Sequence, residues 1–486
     1  MSTPAHSTAT ATATEPVSPA EPETVSSRKR WAILAVILSA DVLDLLDATI
    51  TNIAAPTIAA DLHGGEALIQ WLGAGYALAL GVLLVVGGRL GDRYGRRRLF
   101  LIGITGFTLA STACGLAFDP GSIIIARLAQ GAFGALLIPQ GFGILGSVFP
   151  RDQIGRAFSA FAPAMGISAV GGPILAGALI DADLLGLGWR SMFLINLVLG
   201  GIAILAAARL LPKDAGDRST SVDGIGSGLL AAAMLGLLFG LIDGSAHGWT
   251  PVPILSVTGG AVFSGLFCRR QQTAASPLIE PSLLRNRGFT SGLVLGVAFF
   301  AAVAGLLYVL SLFMQNGLGY TPMKAALGLA PIAAGIVIAS VAGHRLIGGL
   351  GRDLVLIGLV VTLAGTGWLL VLVLTAGTSA SAWALLPPAL IIGLGMGTCF
   401  GTVYDVTIGD IAPEEAGSAG GSLSAVQQLA NAIGAAVVTT LYFRTLATGG
   451  ETRAAVHSLA AVAAIILACC GLVRLLPRKA PPQDHH

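Results

Sequence analysis

Charged side chains are scarce in this chain of 486 residues, because Asp, Glu, Lys and Arg together make up only 11% of it. A soluble domain carries about 25% charged residues. Here hydrophobic residues account for 54% of the chain, and the mean hydropathy is +0.82. This composition excludes a water-soluble protein and predicts an all-α protein whose partner is a lipid bilayer. The net charge of +2 is too small to indicate a nucleic-acid partner.

The chain also lacks the residue clusters that hold metals or phosphates. Its five cysteines lie in apolar runs without zinc-ligand spacing and its seven histidines form no cluster, so we expect no metal and no cofactor. No lysine follows a glycine, which excludes a Walker phosphate loop, and neither HExxH nor GxSxG occurs. The GxGxxG match at 141–146 lies inside a predicted helix and indicates helix packing. We therefore expect a protein that is not an enzyme, with a polytopic membrane enzyme as the weaker alternative.

Long apolar runs dominate what is present. A helix needs about 20 apolar residues to cross the hydrocarbon layer, and we predict fourteen such spans. They lie near 31–58, 69–87, 99–118, 122–148, 158–180, 192–211, 224–243, 254–268, 289–314, 325–342, 354–376, 383–408, 420–443 and 455–475.

The basic residues provide an independent test of this topology, since cytoplasmic loops collect Lys and Arg. Most of the 27 lysines and arginines fall in the predicted loops on one side of the membrane. Only Arg190, Lys324, Arg444 and Arg453 fall in loops on the other side, and Arg127 lies within a span. The asymmetry predicts a multi-pass cell (inner) membrane protein with both termini cytoplasmic.

An internal repeat divides the chain into related halves. The segment 87–96 recurs in decayed form at 343–352, each time in the loop after the second helix of a six-helix set. We predict two six-helix bundles joined by two linker helices. The predicted domains are a disordered cytoplasmic tail (1–27), an N-terminal bundle (28–215), two linker transmembrane helices (216–275), a C-terminal bundle (276–478) and a cytoplasmic tail (479–486).

Four motifs, taken together and in order, resemble those of a known family. The loop after the second span reads Gly88-x-Leu90-x-Asp92-Arg93-x-Gly95-Arg96-Arg97, and it resembles the signature loop of the major facilitator superfamily. Three more motifs resemble its fourteen-helix drug:proton antiporter branch: LDATITNIAAP at 46–56, RLAQG at 127–131 and GPILAG at 172–177. The last has Ala176 where the branch has glycine. The segment before the sixth span, 189–196, also fits, with Val198 in place of a usual proline.

The resemblance implies a secondary transporter that works by alternating access. Its expected partners are protons, the lipid bilayer and a small-molecule substrate, with lipophilic or cationic drugs and antibiotics exported in exchange for protons. We expect it to function as a monomer and to use the proton gradient as its driving force. A dedicated exporter of a single metabolite or natural product remains open, because both kinds of exporter share these motifs.

Three acidic residues in the first span are the candidates for proton coupling. Asp41, Asp44 and Asp47 cover an arc of about 120° on one helix. An ionised Asp at a helix centre costs roughly 2.5–3.5 kcal/mol, so this arc must face a wet cavity or hold protons. The resemblance favours Asp47 as the carrier and the depth in the membrane favours Asp44. Arg127 must pair or be hydrated, and a first-span carboxylate is its expected partner.

The remaining candidates are a cavity set and a gating set. The cavity candidates are Asn52, Trp71, Tyr76, Gln130, Tyr308, Gln315 and Asp405. Resemblance implies that Asp92 caps a helix or pairs with a cation across the seam between the halves, and that the kink at Pro173 favours exchange over leak. The gating candidates are Gly88, Asp92, Arg93, Gly95, Arg96, Gly172, Pro173 and Gly177.

Overall fold

The computed structural model shows an all-helical protein. It describes residues 26–477, except 218–222, 275–276, 409–410, 413–414 and scattered positions between 151 and 185. The predicted fifth span, 158–180, therefore lies largely outside the described residues, as do both predicted tails apart from a few residues.

The helices up to residue 210 follow the predicted spans, with one exception. They are α1 (Ser27–Asp61), α2 (Gly65–Tyr94), α3 (Arg96–Gly115), α4 (Pro120–Gly134), α5 (Leu137–Val148) and α6 (Arg190–Leu210). The exception is an interruption inside the predicted span 122–148: α4 ends at Gly134 and α5 begins at Leu137, although Pro120–Val148 as a whole is long and apolar enough to be one span. Pro139 has no N–H to donate and its ring crowds the carbonyl of Ala135, which is sufficient to interrupt the helix there.

The helices after residue 222 include two irregular places. They are α7 (Gly224–His247), α8 (Pro251–Thr273), α9 (Pro281–Arg285), α10 (Arg287–Leu312), α11 (Pro322–Leu350), α12 (Arg352–Ala376), α13 (Ala382–Ile408) and α14 (Ala416–Leu472). A π-helical segment, Phe313–Gly317, continues α10. Inside α14, Gly450 has φ 75° and ψ 176°, which glycine adopts without strain, and the helix kinks there. The kink lies between the two last predicted spans.

The outward surface of these helices is apolar, as lipid contact requires. Phe118 is 83% exposed, Trp383 79%, and Ile125 and Leu255 69% each. In the described residues, eleven helices are long and apolar enough to cross a membrane. The chain is therefore a multi-pass membrane protein; the predicted number of fourteen spans stays a prediction.

Small residues set the distances between neighbouring helices. The Cβ position at Gly103 lies 3.1 Å from the backbone carbonyl oxygen of Phe133, so the backbones of α3 and α4 approach each other closely. Similarly, Gly236 of α7 lies against Gly260 of α8, because a Cβ placed at Gly236 would be 2.9 Å from the Cα of Gly260. The helix α7 also contacts α2 and α14, since the Cβ position at Gly81 meets Leu238 at 2.8 Å and Gln428 at 3.6 Å. The helix α7 therefore lies along the line where α2 meets α14.

Candidate functional site

A cluster of charged side chains is buried between α1 and α4. Asp44 and Asp47 of α1 are 6% and 3% exposed, and Arg127 of α4 is fully buried. Arg127 donates to Oδ2 of Asp47 through NH1, and its Nε donates to the carbonyl oxygen of Leu72 at 2.9 Å. A buried ion pair of this kind is stable only when its remaining donors and acceptors are also satisfied.

One further helix, α6, satisfies the second oxygen of Asp47, and α3 supports it. Nδ2 of Asn196 on α6 donates to Oδ1 of Asp47 at 2.8 Å and also lies 2.9 Å from Oγ of Ser111 on α3. Ser111 in turn donates to the carbonyl oxygen of Phe193 at 3.1 Å. Asp47 is thus bound from two helices, α4 and α6, with one oxygen on a cation and the other on an amide.

Tyr76 of α2 connects Asp44 to the same cation. Its hydroxyl donates to Oδ1 of Asp44, and the Cζ atom of Arg127 lies 4.5 Å from the centre of its ring. The position of a Cβ at Gly134 would be 3.1 Å from Oδ1 of Asp44, so glycine leaves room for this carboxylate at the end of α4. Within the described part of the chain, Asp44 accepts no hydrogen bond from a cation. The two neighbouring carboxylates therefore differ in their partners. Asp47 pairs with the guanidinium of Arg127, and Asp44 accepts a hydrogen bond from the phenol of Tyr76.

Asp41 occupies a different environment from Asp44 and Asp47. It is half-buried and lies close enough to Tyr404 of α13 to interact with it electrostatically. Tyr404 donates to Oε1 of Gln427 on α14 at 2.9 Å, and its ring lies 5.7 Å from that of Phe142 on α5. Asp41 therefore lies where helices from both halves of the chain meet.

The predicted cavity residues do not all lie in one place. Tyr76 and Gln130 join the buried cluster, since Oε1 of Gln130 accepts from Arg127 at 2.8 Å. Trp71 lies against Phe239 of α7 at 6.4 Å between ring centres. Tyr308 on α10 is 46% exposed, and Gln315 in the π-helical segment donates to Oγ of Ser311 at 2.9 Å; neither bonds to Asp44 or Asp47. The side chains of Asn52 and Asp405 lie outside the described residues.

The signature loop joins α2 to α3 and lies against the start of α14. Arg96 pairs with Asp92 at 3.1 Å and donates to the carbonyl oxygen of Gly143 at 2.9 Å. Among the described residues, the cation on Asp92 therefore belongs to the same loop, and no cation of the second half pairs with Asp92. Backbone also meets backbone at this seam: the Cβ position at Gly88 lies 3.0 Å from the carbonyl oxygen of Gly417. Asp92 itself faces the first turn of α14, where a negative charge is favourable.

The other predicted gating residues have smaller or undescribed contacts. Gly95 ends α2 with φ 94°, a conformation that favours glycine, and Arg93 lies over the ring of Tyr94 at 5.5 Å. Gly172 lies directly against the Thr49 side chain of α1. Pro173 and Gly177 lie outside the described residues.

Comparison with known proteins assigns the family. The profile described as Major Facilitator Superfamily matches residues 37–435, which is most of the chain. The chain belongs to the major facilitator superfamily. Among curated members, a probable actinorhodin transporter of Streptomyces coelicolor is 42% identical over 91% of this chain and 77% of its own length. A tetracenomycin C resistance and export protein of Streptomyces glaucescens is 32% identical over 85% and 76% of the two chains. The puromycin resistance protein of Streptomyces alboniger is 32% identical over 85% and 82%.

Solved structures of the superfamily show the same fold. The proton:xylose symporter XylE superposes with a TM-score of 0.65 at 14% identity, covering 91% of this chain and 95% of its own. A human organic anion transporter gives 0.63 at 16% identity, covering 91% and 99%. The fold and the family together identify the chain as a transporter related to antibiotic exporters.

The contact of Asn196 with Asp47 was not among the sequence predictions for this major facilitator chain. The sequence motif places Asn196 only at the end of the segment before the sixth span. A signal was available, because Asn196 is a polar amide within an apolar helix, and such a residue requires a partner inside the bundle. The sequence could not show that the partner is Asp47.

Proposed function

We propose that this chain is a proton-coupled exporter of small molecules that works by alternating access. In this proposal the chain belongs to the fourteen-helix drug:proton antiporter branch. It has two six-helix bundles, two linker helices and both termini in the cytoplasm. It acts as a monomer, and protons moving inward through the cluster of Asp44, Asp47 and Arg127 drive the substrate outward.

The observation that carries the proposal is the unequal setting of the two buried carboxylates. Asp47 is bound to a permanently charged arginine and to an amide, so its ionised form is the stable partner of Arg127. Asp44 accepts from a neutral phenol, which can donate to a carboxylate or turn towards a carboxylic acid. Asp44 is therefore the side chain that loads and releases the proton, and Asp47 holds the arginine in place. The sequence left both Asp44 and Asp47 open as carriers, and their unequal contacts favour Asp44.

The membrane potential can supply enough energy for this exchange. One charge that crosses about 100 mV gains roughly 2.3 kcal/mol. At about 1.4 kcal/mol for each factor of ten, one proton supports a substrate gradient of nearly fiftyfold.

The substrate class is proposed from the relatives. Three proteins that match most of this chain are named for transport of, or resistance to, the antibiotics actinorhodin, tetracenomycin C and puromycin. We propose that this chain also exports antibiotics. The higher identity to the actinorhodin transporter, 42% against 32%, favours a dedicated natural-product exporter as the second candidate.

Closure of the cytoplasmic side is assigned to the signature loop. Asp92 and Arg96 hold the loop against the first turn of α14, and Gly88 lets the two backbones touch. When the halves separate at this end, the contact of Gly88 with Gly417 is broken, which opens the path to the cytoplasm. The proposed role of the segment 172–177 is to prevent leak during this movement.

The test uses the full chain in proteoliposomes with an imposed pH gradient and a panel of antibiotics and lipophilic cations. We expect substrate-dependent proton movement in the wild type, and none in Asp44→Asn. The matched control is Asp61→Asn, which removes an acid from the exposed end of the same helix and should still couple. Normal coupling in Asp44→Asn would overturn the assignment of the carrier. Transport by the wild type without any proton movement would overturn antiport itself.

A further inference from the structure

A groove on the outer surface of α3 lies apart from the buried cluster. It has a volume of about 850 Å³ and is bounded by α3, by Phe133 of α4 and by the residues after α6. Arg97 and Arg98 lie at one end of the groove, in the first turn of α3, next to Lys213. The basic loops predict that this end is cytoplasmic, so the groove begins at the inner surface of the membrane and runs into the lipid.

The two ends of the groove differ in chemistry. Beyond the cations, the wall is formed by Leu101, Ile102 and the ring of Phe133, which covers Gly106. Arg98 and Thr105 are seven residues apart, which is about 10 Å along a helix. A ligand that fits this groove therefore has an anionic group joined to an apolar chain, with the anion at the membrane surface and the chain in the hydrocarbon.

Arg98 and Lys213, the cations at the cytoplasmic end of the groove, are not neutralised by their neighbours. The one carboxylate in the groove, Asp214, accepts from the backbone N–H groups of Arg96 and Arg97 at 2.5 and 3.1 Å, so both of its oxygens cap the start of α3. Among the described residues, Arg98 and Lys213 form no ion pair. In the same part of the chain, Nε of Arg97 has no acceptor, although its NH2 group donates to the carbonyl oxygen of Ala208.

We propose that this groove binds an anionic phospholipid of the inner leaflet, with its phosphate on Arg98 and Lys213 and an acyl chain along Ile102 and Phe133. The lipid would connect α3 to the segment after α6, and Arg97 would fix the shape of the cytoplasmic end of the groove. A free phosphate has no apolar part to fill the apolar end of the groove. A lipid matches both ends, because it has an anionic group and an apolar chain. The site does not depend on proton coupling.

The test measures lipid retention by the purified full chain with native mass spectrometry, using phosphatidylglycerol and phosphatidylcholine in equal amounts. We expect the wild type to retain phosphatidylglycerol in preference. Two charges near a membrane surface change the affinity by about thirtyfold, so the pair of changes Arg98→Gln and Lys213→Gln should remove most of the preference. The control pair, Arg269→Gln and Arg285→Gln, removes two exposed cations outside the groove and should keep it.

A second variant tests the apolar end without changing any charge. Thr105→Trp fills the groove, and Thr105 is exposed, so folding should be preserved and a thermal melt would check it. We expect this variant to retain less phosphatidylglycerol than the wild type. Equal retention of the two lipids by the wild type, or an equal loss in both double variants, would overturn the site. Displacement by inorganic phosphate, with no effect of Thr105→Trp, would show that the groove binds a phosphate ion and not a lipid.

Discussion

Arg89 and Glu280 form an ion pair of 2.6 Å that joins α2 to the segment immediately before α9. Arg89 is 5% exposed, and its NH2 group also donates to the carbonyl oxygen of Pro277 at 3.0 Å. The segment 277–280 leads from α8 towards α9 and the second half of the chain. Arg89, which belongs to the signature motif, therefore binds the start of the second half to the first half.

Removal of one partner of this pair should destabilise the protein. Glu280→Gln leaves Arg89 buried beside a neutral side chain, and we expect a loss of about 1–3 kcal/mol, less than for a fully buried pair because Glu280 is partly exposed. The measurement is chemical unfolding in detergent. The double variant with Arg89→Gln should lose less than the sum of the two single changes; additive losses would show that the two residues act separately. Asp353→Asn, in an exposed pair with Arg352, is the control with little expected effect.

The two buried carboxylates should respond differently to neutralisation. Asp47→Asn leaves Arg127 without a counter-ion in the membrane, and we expect a loss of about 3–5 kcal/mol of stability. Asp44→Asn removes no ion pair with this arginine, so its loss should be clearly smaller although transport stops. Thermal melting of both purified variants provides the comparison. Equal destabilisation would contradict the division of roles between carrier and counter-ion.

Tyr76 should set the pH range of transport. Tyr76→Phe keeps the ring beside Arg127 but removes the hydrogen-bond donor to Asp44, the proposed proton carrier. We expect the pH profile of substrate-driven proton movement to shift, with little change in the KM for substrate. Tyr94→Phe, at an exposed tyrosine outside the cluster, is the control. An altered KM with an unchanged profile would indicate that Tyr76 contacts the substrate instead.

Asp61 and Arg190 provide a pH test outside the membrane spans. Hydrogen bonds from Arg190 and Trp189 to Asp61, at 2.8 and 3.0 Å, lower the pKa of this carboxyl below its ordinary value. The pair therefore contributes stability at neutral pH and loses it only as the pH falls through the lowered pKa. Asp61→Asn should melt earlier than the wild type at neutral pH, and the difference should disappear in strong acid. A difference that is constant with pH would exclude the ion pair as its cause.

Most of the fold could be predicted from the sequence, because the number of apolar residues in a span and the basic loops follow from transfer free energies alone. The break between α4 and α5 was missed because a hydropathy run does not register a single Pro139. In the helix α14, Gly450 supplies the bend between the two predicted spans 420–443 and 455–475, and their separation stays a prediction.

The candidate site was predictable as a set of residues and not as a set of contacts. The sequence alone predicts that Asp44, Asp47 and Arg127 lie within membrane spans, since the position of each residue along its span sets its depth. The contacts come from the tertiary structure, in which Arg127 binds Asp47, Tyr76 lies between Arg127 and Asp44, and Asn196 binds the second oxygen of Asp47. These contacts join α1, α2, α4 and α6. The rotation and offset of one helix against another are set by packing in three dimensions, which no spacing along a single helix contains.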